Sequence, residues 1–179
     1  MNRVIVRRIL NPVRLMFLRI NHSIGVKCMI SFSTELSFTK NAKVTIGNRV
    51  CSDGTCRFIA SENALLSIGD DCYFNNNCFI GTRNKIIIGN HCVFGPGVSV
   101  IDNNHRFEKE NGIACNQYND GEVVIGNNCW LGANVTILKD THIGDGCIIG
   151  AGCVIKQDIP SNSIVTSHIH LHIHQIEDR

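Results

Sequence analysis

The sequence predicts an all-β chain made of short strands and corners stacked as a solenoid, and three observations point there. First, from residue 125 an aliphatic side chain returns every six residues without a slip: Ile125, Leu131, Ile137, Ile143, Ile149, Ile155. Second, four residues after each comes a small or aliphatic side chain: Cys129, Val135, Thr141, Cys147, Cys153, Ile159. That position precedes the next aliphatic by two, and residues two apart on a strand point to the same side. Each hexamer therefore offers one large and one small inward side chain, followed by a corner. Third, glycine follows the aliphatic at 126, 132, 144 and 150, which suits a corner where a Cβ would be costly. A unit this short cannot bury itself, so successive units must stack.

Taken in chain order, residues 1–40 form a basic amphipathic segment. Residues 1–50 hold nine Lys or Arg and one acid, Glu35, a net charge of about +8, while the remainder carries about −6. An anionic partner would therefore meet the N-terminal end. At 100° per residue Ile5, Val6, Ile9, Leu10, Val13, Met16, Phe17 and Ile20 share one helical face. Such a helix fits as a cap on the first coil, and residues 1–20 also fit peripheral contact with an anionic membrane surface. Asn11-Pro12 kinks or splits it. Arginines interrupt any signal-peptide core, and no 18-residue apolar run is present, so a cytoplasmic, reducing setting is expected and nucleic-acid binding is not.

The β-helix proper is expected over 41–160. The beat runs through Ile68, Phe74, Ile80 and again Ile88, Phe94, Val100, and is weaker at Ile46, Ser52, Phe58. Seven of the ten cysteines (Cys56, Cys72, Cys78, Cys92, Cys129, Cys147, Cys153) fall in the small inward slot, where free cysteine acts as a small hydrophobe. No clustered C-x2-C spacing favours a metal. The beat slips by two residues at Arg83–Asn84, and it breaks between Val100 and Ile125, where residues 101–122 read as a long polar loop. Long loops in compact domains usually carry function. His105 opens this loop, and a histidine side chain is suited to general acid or base work. Residues 161–179 form a His-rich tail in which His168, His170, His172 and His174 alternate with apolar residues. An edge strand or an altered terminus is expected there rather than a metal site.

The "[LIV]-G-x4" pattern resembles the hexapeptide-repeat acyltransferases, whose fold is a left-handed parallel β-helix; the handedness rests on that resemblance alone. It implies an acetyl-CoA-dependent O-acetyltransferase without a metal, similar to galactoside and maltose acetyltransferases and to enzymes modifying capsule, O-antigen or exopolysaccharide. "FGPGVSVIDNNH" sets His105 at the family's catalytic position. In "CYFNNNCF" Asn75 aligns with an acceptor contact, and Trp130 of "NNCWLGANV" matches a tryptophan that lines a cleft between subunits. Gly132, Ala133, Gly150, Ala151 and Lys156 match stretches that hold the coenzyme's pantetheine arm. The resemblance further implies a homotrimer and a saccharide or lipid-linked glycan acceptor, with a role in polysaccharide biosynthesis. Arg83 stands where galactoside-type relatives carry an acidic pair, which points to a different, anionic acceptor. "KQDIP" displaces Lys156 by one position, and the usual closing segment is replaced by the His-rich tail. A non-catalytic or degenerate β-helix acting as a structural or partner subunit therefore stays open as the alternative.

Overall fold

A computed structural model of the protein describes residues 11–110 and 112–167. Three parallel faces stack along one axis. The first holds Ser23–Ile24, Lys43–Ile46, Leu65–Ile68, Lys85–Ile88, Glu122–Ile125 and Thr141–Ile143. The second holds Met29–Ile30, Cys51–Ser52, Tyr73–Phe74, Val93–Phe94, Trp130–Leu131, Ile148–Ile149 and Ile164–Val165. The third holds Glu35–Phe38, Arg57–Ala60, Phe79–Thr82, Ser99–Ile101, Thr136–Ile137 and Val154–Ile155. About six coils result, the architecture of a left-handed parallel β-helix.

The six-residue beat becomes columns. Ile24, Ile46, Ile68, Ile88, Ile125 and Ile143 stack in register behind the first face. Behind the second face, Phe74 lies between Phe58 at 4.8 Å, edge-on, and Phe94 at 4.4 Å, stacked. All seven cysteines assigned to the small slot are buried, and all ten are free thiols. Their S–H groups donate to carbonyls of the next coil, as from Cys72 to Gly89 at 3.1 Å and Cys92 to Gly126 at 3.1 Å. A hydrogen bond to Cys92, and then burial, holds the Cys129 thiol well above its ordinary range, so it remains a packing group.

The corner between the first and second faces is a polar ladder. Asn48, Asp70, Asn90 and Asn127 each donate a backbone N–H to a side-chain oxygen in the following coil, at 2.6–2.9 Å. Glycine there is a spacing requirement: a Cβ on Gly89 would sit 2.6 Å from the backbone carbon of Gly126.

Two boundaries differ from expectation. The solenoid starts at Ser23, not at 41, and its second face ends at Val165, not at 160. Ile24, Ile30 and Leu36 already keep the six-residue spacing, but ten residues separate Leu36 from Ile46, which hides the first coil. The N-terminal helix α1 spans Asn11–Leu18 among the described residues. Leu15 caps the core at 4% exposure with Leu18 packed against it, whereas Met16, Phe17 and Ile20 of the expected core-facing stripe are exposed. The helix carries two apolar stripes, and the coil takes the other one. Residues 1–10 and the His168–His174 tract lie outside the described residues. Among the described residues, no helix is long and apolar enough to cross a membrane.

Candidate active site

The two breaks in the beat meet in space. The 101–122 excursion is an antiparallel hairpin, Asn103–Glu108 paired with Gly112–Asp120, thrown out where the third face turns into the first. One coil earlier, the same corner carries the Arg83–Asn84 slip. Asp102 joins them. Its parity continues Val98 and Val100, so its carboxylate points inward and is 0% exposed. It accepts the backbone N–H groups of Arg83 (2.9 and 3.0 Å), Asn84 (2.9 Å) and Lys85 (2.8 Å), and the side-chain amide of Asn103 (3.0 Å). A buried carboxylate needs such donors to offset its lost hydration. Asn84 Nδ2 donates to the Gly121 carbonyl at 2.7 Å, and the Gly121 N–H donates back to the Asp102 carbonyl at 2.7 Å. The slip is thus the socket of the hairpin. Alternation in "VSVID" is the sequence signal that places Asp102 inward.

Above the socket, Tyr118 gathers the polar residues. Arg83 places its guanidinium carbon 3.6 Å from the Tyr118 ring centroid and donates from Nε to Asp120 Oδ1 at 3.1 Å. His105 lies directly across the hairpin from Tyr118, with ring centroids 4.6 Å apart, and its imidazole is exposed. A single chain therefore brings Arg83 and His105 together around a tyrosine. Arg83 is stacked and ion-paired rather than extended alone into solvent.

The remaining candidates sit elsewhere. Asn75, Gly132, Ala133, Gly150 and Ala151 occupy the corner between the second and third faces, a full third-face strand away from the hairpin corner. Asn75 Oδ1 accepts the Asn76 backbone N–H at 2.7 Å, a local corner contact. Gly132 and Gly150 bring neighbouring coils close: a Cβ on Gly132 would meet the Ala151 nitrogen at 2.7 Å. Trp130 is 53% exposed on the outside of the second face, in register with Val93 and Ile148. Lys156 is exposed at the third-to-first corner, across the third face from Gly150 and Ala151. Asn75, Trp130, Gly132, Ala133, Gly150 and Ala151 thus lie away from the His105 corner, which Lys156 alone of these shares.

Just past the hairpin, Glu122 links Lys85 and His142 on the first face. Lys85 Nζ lies 2.8 Å from its Oε2 and His142 Nε2 lies 2.8 Å from its Oε1, while His142 Nδ1 is 3.3 Å from Asp158. Hydrogen bonding to Glu122 raises the His142 pKa, with Asp158 adding to it. Among the described residues, no three His, Cys, Asp or Glu groups converge as a metal site would require.

Residues 122–157 match the family model described as bacterial transferase hexapeptide (six repeats). The chain carries the bacterial transferase hexapeptide repeat. This hexapeptide-repeat chain is 36% identical over 96 residues to a galactoside O-acetyltransferase of Lactococcus lactis subsp. lactis (strain IL1403), covering 54% of the chain and 46% of that protein. It thus spans about half the length of that relative. Two solved structures share its fold. A hexapeptide-repeat-containing acetyltransferase from Vibrio cholerae is 20% identical with a TM-score of 0.59, over 90% of this chain and 79% of that one. An N-acyltransferase from Bacillus cereus, in complex with dTDP-4-amino-4,6-dideoxyglucose and coenzyme A, is 18% identical with a TM-score of 0.66, over 84% and 82%.

Proposed function

We propose that this chain is an acetyl-CoA-dependent O-acetyltransferase that acylates a saccharide hydroxyl, with His105 as the general base. One observation carries the reading: an exposed imidazole on a hairpin that a buried carboxylate pins to the coil wall. A sugar hydroxyl attacks the acetyl carbonyl carbon, its proton passing to the His105 imidazole. The new C–O bond forms as the C–S bond breaks, and the proton leaves with the coenzyme thiol. No protein nucleophile is required.

The acceptor and coenzyme contacts (Asn75, Trp130, Gly132, Ala133, Gly150, Ala151) lie on another corner, so the reading calls for a second copy beside the hairpin. The outside of the second face supports this. Cys51, Tyr73, Val93, Trp130, Ile148 and Ile164 form one apolar column, a rung per coil, broken by no charge. A trimer in which that column packs beside a neighbour's hairpin would complete the site. Lys156 lies on the hairpin's own corner and serves the coenzyme, if at all, from that side. Arg83, already stacked and paired, orders the loop first and offers its remaining N–H groups to an anionic acceptor second. The sugar nucleotide bound by the Bacillus cereus neighbour supports a saccharide acceptor. A cytoplasmic site of action in surface polysaccharide biosynthesis fits a donor that is a cytoplasmic metabolite.

The test is mass spectrometry of saccharide and sugar-nucleotide panels incubated with the protein and acetyl-CoA. A mass gain of one acetyl group on a hydroxyl supports the reading. No product on any acceptor, with no coenzyme binding by calorimetry, leaves the non-catalytic alternative.

A further inference from the structure

We propose that the N-terminal end of the solenoid is a docking surface for a bilayer rich in anionic lipid. Six of the twelve exposed large apolar residues among those described fall between residues 16 and 32: Met16, Phe17, Ile20, Val26, Met29 and Phe32. They share one edge. Arg14 donates to the carbonyls of Phe32 (3.3 Å) and Thr34 (2.5 Å), and Arg19 to those of Ile24 (2.9 Å) and Gly25 (2.5 Å). These four bonds strap α1 across the end of the second face, from the corner after its first strand to the corner before it. Leu15 fills the coil's open end, which leaves Met16, Phe17 and Ile20 turned away from it, beside the exposed first-coil residues.

Charge selects the occupant. Arg14, Arg19 and the exposed Lys27 surround the apolar tips, within a fifty-residue stretch of net charge about +8. Its one acid, Glu35, is paired with Arg57 at 2.7 Å. Apolar tips ringed by cations match a surface that is apolar beneath and anionic at its headgroups. A second copy meeting this end head-on would set like charges together, and a nucleic acid would leave the apolar tips without a partner. The surface lies three coils from the hairpin, so docking holds the protein at the membrane without using His105 or Arg83.

The experiment is flotation of the full chain with vesicles of phosphatidylcholine alone, or with roughly one-third phosphatidylglycerol. The wild type floats with the anionic vesicles, stays behind with the neutral ones, and is released by salt. The Phe17→Glu/Ile20→Glu double variant binds at least ~10-fold more weakly with an unchanged thermal midpoint and unchanged coenzyme affinity. Lys27→Glu gives a smaller loss in the same direction. The proposal is overturned if the wild type ignores anionic vesicles or binds neutral ones equally. It is also overturned if the double variant binds as the wild type does, or if its effect is to split an end-to-end assembly seen without lipid.

Discussion

The Asp102 carboxylate accepts the Lys85 backbone N–H at 2.8 Å, joining the base of the hairpin to the coil beneath it inside a fully buried pocket. Removing that acceptor strands three backbone donors and the Asn103 amide. Asp102→Ala should cost at least ~2 kcal/mol in urea unfolding, because buried donors lose their partner and regain no water. Amide hydrogen exchange across 103–120 should quicken well before exchange in the third-face strands does. Unchanged exchange in the hairpin would show that Asp102 does not hold it.

Trp130 stands within the outer column of the second face, between Val93 and Ile148. Trp130→Glu should convert an assembled form to monomer, read by sedimentation velocity, since a desolvated charge at the centre of an apolar contact is heavily penalised. A wild-type protein that is already monomeric would remove the shared-site reading.

Phe74 is sandwiched by Phe58 and Phe94 with no exposed surface. Phe74→Ala should lower stability by about 3–5 kcal/mol, the usual cost of emptying a buried aromatic site. Chemical denaturation measures this directly, and a loss under ~1 kcal/mol would mean that the stack does not organise the core.

His142 provides a pH signature. Glu122, and with it Asp158, raises its folded-state pKa above the ordinary 6.5, so its stabilisation is complete below that value and fades as pH climbs through the raised one. Glu122 behaves oppositely: hydrogen bonding to Lys85, then to His142, lowers its pKa from 4.5, and its share is lost as pH falls through the lowered value. The cluster therefore contributes most between about pH 4.5 and 6.5. His142→Gln should flatten the decline in thermal midpoint above pH 6.5. Exposure of these groups keeps the effect small. An identical slope in variant and wild type would contradict the assignment.

Much of the fold could be read from spacing. The interval between Ile125 and Ile155, with a small or aliphatic side chain two residues before each return, specifies columns that recur in the structure. Spacing says nothing of handedness, because a mirror-image stack has the same period. The first coil escaped notice because the Leu36–Ile46 interval breaks the rhythm, although Ile24, Ile30 and Leu36 keep it. The hairpin read as loop for a physical reason: both faces of Asn103–Glu108 meet solvent, so no burial imposes alternation on its side chains. His105 and Arg83 stand at breaks in the rhythm and can be picked out from it. Asp102 and Tyr118, which bring them together, cannot, because a buried carboxylate and a stacking ring are defined by neighbours from distant parts of the chain.

The central claim is that the His105 imidazole removes the acceptor's proton. The direct measurement is single-turnover acetyl transfer by His105→Ala beside coenzyme affinity by calorimetry. The account predicts a rate lower by roughly 10²–10⁴-fold with coenzyme affinity unchanged. A transfer rate equal to that of the wild type would contradict it.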